Sequence, residues 1–129
     1  MLPTTKKPYI IDWPVAFDDF IRQRSFQAWL TIDAPDDSVL HDARLNRCRY
    51  HWEMGEIWGR TEVFRTVQDQ MRPDECEPTD YPQRVVEPPP AYAEQLLQAG
   101  RRWGVHLAQM QLLDAEVEQA RREFAGLRA

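Results

Sequence analysis

Potentially reactive side chains are densest in the stretch NRCRYHWEMGEIWG, residues 46–59, which holds a cysteine, a histidine and two glutamates. Cys48 and His51 are three residues apart, so on a helix they would share one face and could both bind a metal ion. His41 would lie on that face too, but about 15 Å from His51 along the axis, whereas each ligand of a zinc ion lies about 2 Å from it. Other candidate ligands are Asp74, Cys76 and His106. The sequence leaves a Cys48–His51 metal pair open but favours no bound metal and no cofactor.

Patterns that accompany catalysis are missing from the rest of the sequence. With five glycines, it holds neither a glycine-rich phosphate loop nor a G-x-S-x-G nucleophile motif. The residues three positions before the histidines are Ser38, Cys48 and Trp103, so the Glu-x-x-His pairs of di-iron helical bundles are absent. Glu56 precedes Arg60 by four residues, a spacing typical of a surface ion pair. We therefore predict that the protein is not an enzyme, with a small subunit of a metal-dependent or multi-chain enzyme as the alternative.

The overall charge argues against a dedicated nucleic-acid-binding protein. The formal net charge is -5, whereas proteins that bind mainly to phosphates are usually basic. Arg44 and Arg47 would nevertheless share one helical face with His51 and could contact phosphates locally. A helical nucleic-acid-binding protein that uses Arg44 and Arg47 is therefore a third possibility, and nucleic acid is an unlikely partner.

Prolines divide the chain into the elements that must position these residues. The ten prolines leave three long proline-free spans, at residues 15–34, 36–72 and 91–129. Proline is excluded from helix interiors because it lacks an N–H and clashes with the preceding turn. We predict an all-α fold of three main helices, at about 14–30, 38–71 and 91–127. Asp37 or Ser38 is expected to cap the second helix.

The last two predicted helices are long and carry residues at seven-residue spacing, which is typical of a seam between helices. The rows of the second helix are Ala43, Tyr50, Ile57, Phe64 and Met71, beside Leu40, Arg47, Met54, Thr61 and Gln68. The rows of the third are Leu96, Trp103, Met110, Val117 and Phe124, beside Ala99, His106, Leu113, Ala120 and Leu127. Glycines at 55 and 59 and at 100 and 104 predict close packing against a large side chain. A β-hairpin ending near Gly55 is the weaker alternative for the second helix.

The segment between the two long helices, residues 72–90, contains six prolines and five acids and is predicted to be extended. We expect a single helical domain over residues 1–129, with residues 1–13 as an extended N-terminal arm. Helices that turn back on each other need only roughly 2–8 linking residues. Either this linker runs back along the second helix and makes the two long helices parallel, or it frees the third helix to pair with another chain.

Long seams and many aromatic residues are typical of surfaces shared between chains. We predict a non-enzymatic protein–protein interaction module, such as an accessory subunit, an assembly protein or an inhibitor. Its partner would be another protein or a second copy of the chain. The residues expected at the interface are Tyr50, Trp52, Trp58, Trp103, His106, Met110 and Phe124. His106 would be either hydrogen-bonded by the partner or a registry or pH-sensing position.

Composition also indicates a cytoplasmic protein. Two cysteines do not make the dense disulfide framework of a small secreted protein. The apolar run near the N-terminus is too short for a signal peptide. No apolar run approaches the roughly 20 residues that a helix needs to cross a bilayer, so we expect no membrane partner.

Overall fold

The fold is all-α, as the sequence predicts. The structure, a computed structural model, describes residues 13–35, 38–65 and 81–127. These residues contain no strand and form the helices α1 (Phe17–Phe20), α2 (Arg24–Leu30), α3 (Val39–Phe64), α4 (Gln83–Val86) and α5 (Pro90–Leu127). The long helices α3 and α5 make most of the contacts between elements. Across the described ranges, no helix has an apolar stretch long enough to cross a membrane.

The first predicted helix, about 14–30, is broken into α1 and α2. In one continuous helix Phe20 and Phe26 would point about 120° apart and could not touch. The break brings their ring centroids to 5.3 Å. The side-chain amide of Gln27 donates to the carbonyl oxygen of Ile21 at 2.8 Å, which satisfies a carbonyl that the break leaves outside a helix. Aromatic packing therefore overrides the local preference for one helix.

α3 begins where the sequence predicts and ends earlier. The hydroxyl of Ser38 accepts a hydrogen bond of 3.1 Å from the backbone N–H of His41 and caps the helix. The helix ends at Phe64 instead of residue 71, because Arg65 adopts the left-handed conformation, with φ 53°, that closes many helices. The seam residues predicted beyond this point lie outside the described residues.

The predicted linker, residues 72–90, is helical in part. α4 is a single turn whose Val86 is buried against Leu40 and Ala43. This apolar contact with α3 holds the turn, so the prediction of an extended linker is wrong for these residues. α5 begins with Pro90, which fits the first turn of a helix because its missing N–H would have no partner there. Residues 72–80 of the linker and residues 1–12 of the predicted arm lie outside the described residues.

α3 and α5 cross in close contact and run in the same direction. Four glycines at the crossing leave no room for a β-carbon: Gly55, Gly59, Gly100 and Gly104. Gly100 faces the backbone of Trp52, and one turn further on Gly104 faces the backbone of Glu56. Residue numbers therefore rise together along both helices, which are parallel where they cross, one of the two arrangements expected from the linker. The close packing is as predicted, but the glycines meet the opposite backbone and not a large side chain.

The buried face of α3 follows a four-residue spacing and not the predicted seven-residue rows. Its buried residues are Leu40, Ala43, Arg44, Cys48, Trp52, Gly55 and Gly59. Of the predicted rows, Met54 is exposed, and Tyr50, Ile57 and Phe64 are half-buried. On each helix, residues spaced by four form a ridge, and glycines in these ridges let the two helix backbones come into direct contact. The predicted seam of α3 is therefore wrong as the contact with α5.

The hydrophobic core lies where α1 and α2 pack on the crossing of α3 and α5. Its buried members are Phe17, Phe20, Ile21, Phe26, Trp29, Leu30, Cys48, Trp52, Tyr92, Leu96 and Ala99. The ring of Trp52 lies 5.6 Å from that of Phe17 and 5.4 Å from that of Phe20. Phe26 reaches across to Tyr92 of α5, with ring centroids 4.9 Å apart. This core covers α5 only along its first half.

Candidate protein-interaction surface

The second half of α5 is exposed on every face. Ala108 is the last buried residue of the helix. Every residue from 109 to 127, the segment called here the α5 tail, is exposed. At a rise of 1.5 Å per residue, the α5 tail is about 28 Å long. The helix therefore leaves the core after Ala108 and continues without cover from the described residues.

One face of the α5 tail is apolar along its whole length. Six residues at alternating spacings of three and four make up this face, called here the tail stripe: Met110, Leu113, Val117, Ala120, Phe124 and Leu127. At 100° per residue they fall within about 100° of one another around the axis. Leu113 exposes 50% of its surface and Phe124 58%. A continuous apolar row held in water is typical of a helix that binds another surface.

Charged side chains line both edges of the tail stripe. By helical geometry these are Asp114 and Arg121 along one edge and Glu116 and Glu123 along the other. On the face away from the stripe, the charges pair within the helix, since Arg122 Nε lies 3.6 Å from Glu118 Oε1. Glu116 and Arg121, by contrast, make no ion pair with any described residue. The edges of the stripe thus carry charge that could meet a partner.

Towards the core, the tail stripe leads to Trp103 and His106. Their ring centroids lie 5.4 Å apart with the ring planes tilted by 34°, and Trp103 packs against the core. His106 also borders a cleft of about 340 Å³ whose walls include Glu62, Arg101 and Arg102. The structure therefore brings four of the predicted interface residues onto one face of α5: Trp103, His106, Met110 and Phe124.

The three aromatic residues predicted for the interface on α3 do not join this face. Trp52 is 2% exposed and lies in the core, so its predicted place at an interface is wrong. Tyr50 is half-buried, with the guanidinium of Arg47 4.6 Å from its ring centre. Trp58 is exposed, and the guanidinium of Arg101 lies 4.6 Å from its ring centre. Both remain at the surface of α3, away from the tail stripe.

Cys48 and His51 both have structural surroundings: Cys48 lies in the hydrophobic core, and His51 contacts the carboxylate of Glu87. His51 Nε2 lies 2.5 Å from one carboxylate oxygen of Glu87, and Arg47 Nε donates to the other. Cys48 is fully buried, and burial, with Glu87 second, raises the pKa of its thiol to about 12. The thiol is therefore protonated at neutral pH and is a poor nucleophile. Nowhere in the described ranges do three or more potential metal ligands come together.

Arg44, proposed above as a phosphate contact, is buried. Its guanidinium donates to four backbone carbonyl oxygens: those of Trp29 (3.1 Å), Leu30 (3.4 Å), Ile32 (2.6 Å) and Val85 (2.9 Å). Three of these carbonyls lie at the end of α2, where helix carbonyls lack partners and carry partial negative charge. Arg47 is paired with Glu87. The arginines named for the nucleic-acid alternative therefore hold the fold together, which corrects that assignment.

The tail stripe, between its charged edges, is a continuous exposed apolar face of the described chain. Five large apolar side chains of this face are 43% to 83% exposed. The chain matches no protein-family model, no curated protein and no solved structure, so no relative indicates what this face does.

Proposed function

We propose that the protein is a non-enzymatic protein–protein interaction module and that the tail stripe is its binding surface. The observation that carries the proposal is the exposure of a continuous apolar face along residues 110–127. Covering a large apolar side chain contributes roughly 1.5–3 kcal/mol, so a partner that covers Leu113, Val117 and Phe124 gains substantial free energy. An accessory subunit, an assembly protein or an inhibitor would all use the surface in this way.

Chemistry favours a protein partner over a lipid surface. Helices that lie on membranes usually carry Lys and Arg on the polar face, where they meet anionic headgroups. The α5 tail instead carries the acids Asp114, Glu116, Glu118 and Glu123 against the bases Arg121 and Arg122. Its polar side therefore has a net negative charge that anionic headgroups would repel. We assign the module to the cytoplasm, as the composition favours.

The enzyme class has less support. Its candidate side chains on α3, Cys48 and His51, are a buried thiol and an imidazole held by Glu87. The exposed residues of the tail stripe are apolar and carry no group that could transfer a proton or attack a substrate. The small-subunit alternative would need a second chain to supply the reactive groups.

Site-specific photo-crosslinking in the protein's native cell tests the proposal. A photoreactive phenylalanine analogue replaces Val117 on the tail stripe or, in the matched control, Arg122 on the opposite face. We expect discrete crosslinked species of defined mass from position 117 and at least about tenfold less from position 122, because only the stripe is covered. Adding Leu113→Glu should remove the crosslinks from position 117. Equal labelling at the two positions, or none at either, would rule out the stripe as the binding surface.

A further inference from the structure

We infer that the occupant of the tail stripe is the tail stripe of a second copy of this chain, in a parallel two-stranded coiled coil. This inference rests on the proposed function above, since it names the partner of the same surface. The register of the stripe, the charges on its two edges and its partial exposure beside the core favour this occupant.

The register suits a helix of the same sequence. Alternating spacings of three and four place Met110, Val117 and Phe124 at one set of core positions and Leu113, Ala120 and Leu127 at the other. Two such helices can interlock these side chains when they supercoil around each other. A symmetric pair buries the same face on both copies, so one apolar stripe is sufficient. No second apolar surface has to be supplied by another protein.

The edge charges select the parallel orientation. In a parallel pair, each residue on the edge that holds Glu116 meets the residue five positions further along, on the other edge of the second copy. Glu116 then faces Arg121 of the second copy, and by symmetry the same attraction forms twice. Asp114 faces the uncharged Gln109 of the second copy, so no like charges meet within the described residues. Among the described residues, none of the four charges on the edges forms an ion pair, and this arrangement joins two of them, Glu116 and Arg121.

An antiparallel pair is less well matched. There each edge meets the same edge of the second copy. Asp114 would attract Arg121 on one side, but Glu116 would face Glu123 on the other, which places two acids together. Repulsion on that side cancels the attraction on the other side. The sequence of edge charges therefore favours the parallel pair.

Beside the core, the side of α5 that continues the tail stripe is partly covered, since Trp103 packs against the core. On the side of α5 that continues the tail stripe, Arg102 and His106 are half-buried and Gln109 is exposed. The backbone of α3 lies instead against the side of α5 that holds Gly100 and Gly104. A second helix can therefore approach this side of α5 from His106 onward, away from the side that α3 occupies. About two and a half heptads is short for a coiled coil, so we expect pairing to depend on protein concentration.

Charge-reversal variants of the full chain test both the partner and its direction. Sedimentation equilibrium over about 1–300 µM measures the dimer dissociation constant. We expect Glu116→Arg and Arg121→Glu each to raise this constant by roughly tenfold, because each places two like-charged pairs in the dimer. The double variant should return it to within about threefold of wild type. The control Glu118→Arg, on the face away from the stripe, should change it by less than about twofold.

Each alternative outcome is distinct. In an antiparallel pair Glu116→Arg would instead tighten the dimer, because it removes the contact between two acids; this result overturns the direction. The double variant lies near the wild-type value in both orientations, so the sign of the Glu116→Arg change decides the direction. A wild-type chain that stays monomeric at 300 µM overturns the second copy as the partner. If position 117 then still crosslinks to a different protein, the proposed function stands without this inference. If it crosslinks to nothing, both fail.

Discussion

The backbone of Gly100 on α5 packs directly against the carbonyl oxygen of Trp52 on α3, with no side chain between them. A β-carbon added to Gly100 would lie closer than 3.0 Å to that oxygen, a separation that real β-carbons do not adopt. The neighbour is backbone in the middle of a helix, so it cannot swing aside as a long side chain can. The position of α5 on α3, and hence the direction in which the α5 tail leaves the core, is set by contacts of this kind.

Gly100→Ala is therefore expected to destabilise the fold. Forcing an extra methyl group into a packed contact lowers the free energy of unfolding by about 3 kcal/mol when the surroundings cannot relax. Urea unfolding of the full chain measures the change. Gly126→Ala is the matched control, because nothing lies within 4 Å of a β-carbon there. Alanine at that helical position should leave stability unchanged or raise it by up to about 1 kcal/mol. Equal stability of the two variants would contradict the close crossing.

Local signals in the sequence were sufficient for the ends of several helices. Ser38 caps α3, and Pro90 opens α5, each for a reason that involves only a few neighbouring residues. The seven-residue rows of α5 also place Leu113 and Phe124 on the same face. Helix class, helix starts and the apolar face of the tail could therefore be predicted, because each depends on spacing along one segment.

Tertiary contacts decided what the sequence did not reveal. The seven-residue row of α3 through Tyr50 and Ile57 predicts a seam with another helix. The glycine contacts instead place a different face of α3 against α5. Likewise, the break between α1 and α2 depends on where Phe26 must pack, and the role of Arg44 depends on carbonyls in two distant segments. No spacing within one segment encodes these relationships.

Arg44→Met should lower the free energy of unfolding by about 3 kcal/mol, since it leaves several carbonyls near the end of α2 without their donor in a buried position. Methionine keeps most of the apolar stem, so the loss reports the guanidinium. Thermal and urea unfolding measure the change. Arg22→Met is the control: Arg22 makes an ion pair of 3.7 Å with Asp19 in which both side chains are exposed, and its loss should change stability by less than about 1 kcal/mol. If the two variants are equally stable, the buried arginine does not hold α2 in place.

Glu87→Ala is expected to loosen the start of α5. The carboxylate of Glu87 holds both Arg47 and His51 of α3, and all three side chains are largely shielded from water. Removing it leaves two half-buried donors without this acceptor, which should lower the free energy of unfolding by about 2 kcal/mol. Hydrogen exchange at the first turns of α5 should also become faster. Glu94→Ala, which removes an exposed contact with Gln98, should do neither. Unchanged exchange in Glu87→Ala would show that the cluster does not position α5.

Cys48 should resist thiol reagents in the folded protein. Its side chain is fully buried, and the raised pKa keeps the thiol protonated at pH 7.5. In a Cys76→Ser background, so that Cys48 is the sole thiol, we expect reaction to be roughly 1,000-fold slower in the native state than in urea. Rapid labelling of the native protein would contradict the burial of this residue.

The same thiol should make stability depend on alkaline pH. Its folded-state pKa of about 12 lies above the ordinary value of 9.0, so as pH rises the unfolded chain loses the proton first. The contribution of the thiol to stability is thus complete below about pH 9 and declines between about pH 9 and 12, by at most about 1.4 kcal/mol per pH unit. Urea unfolding of the wild type and Cys48→Ala at several pH values isolates this contribution, because the other alkaline groups titrate in both. The stability advantage of the wild type should shrink above pH 9. An advantage that stays constant up to pH 11 would show that Cys48 ionises as readily in the folded chain as in the unfolded one.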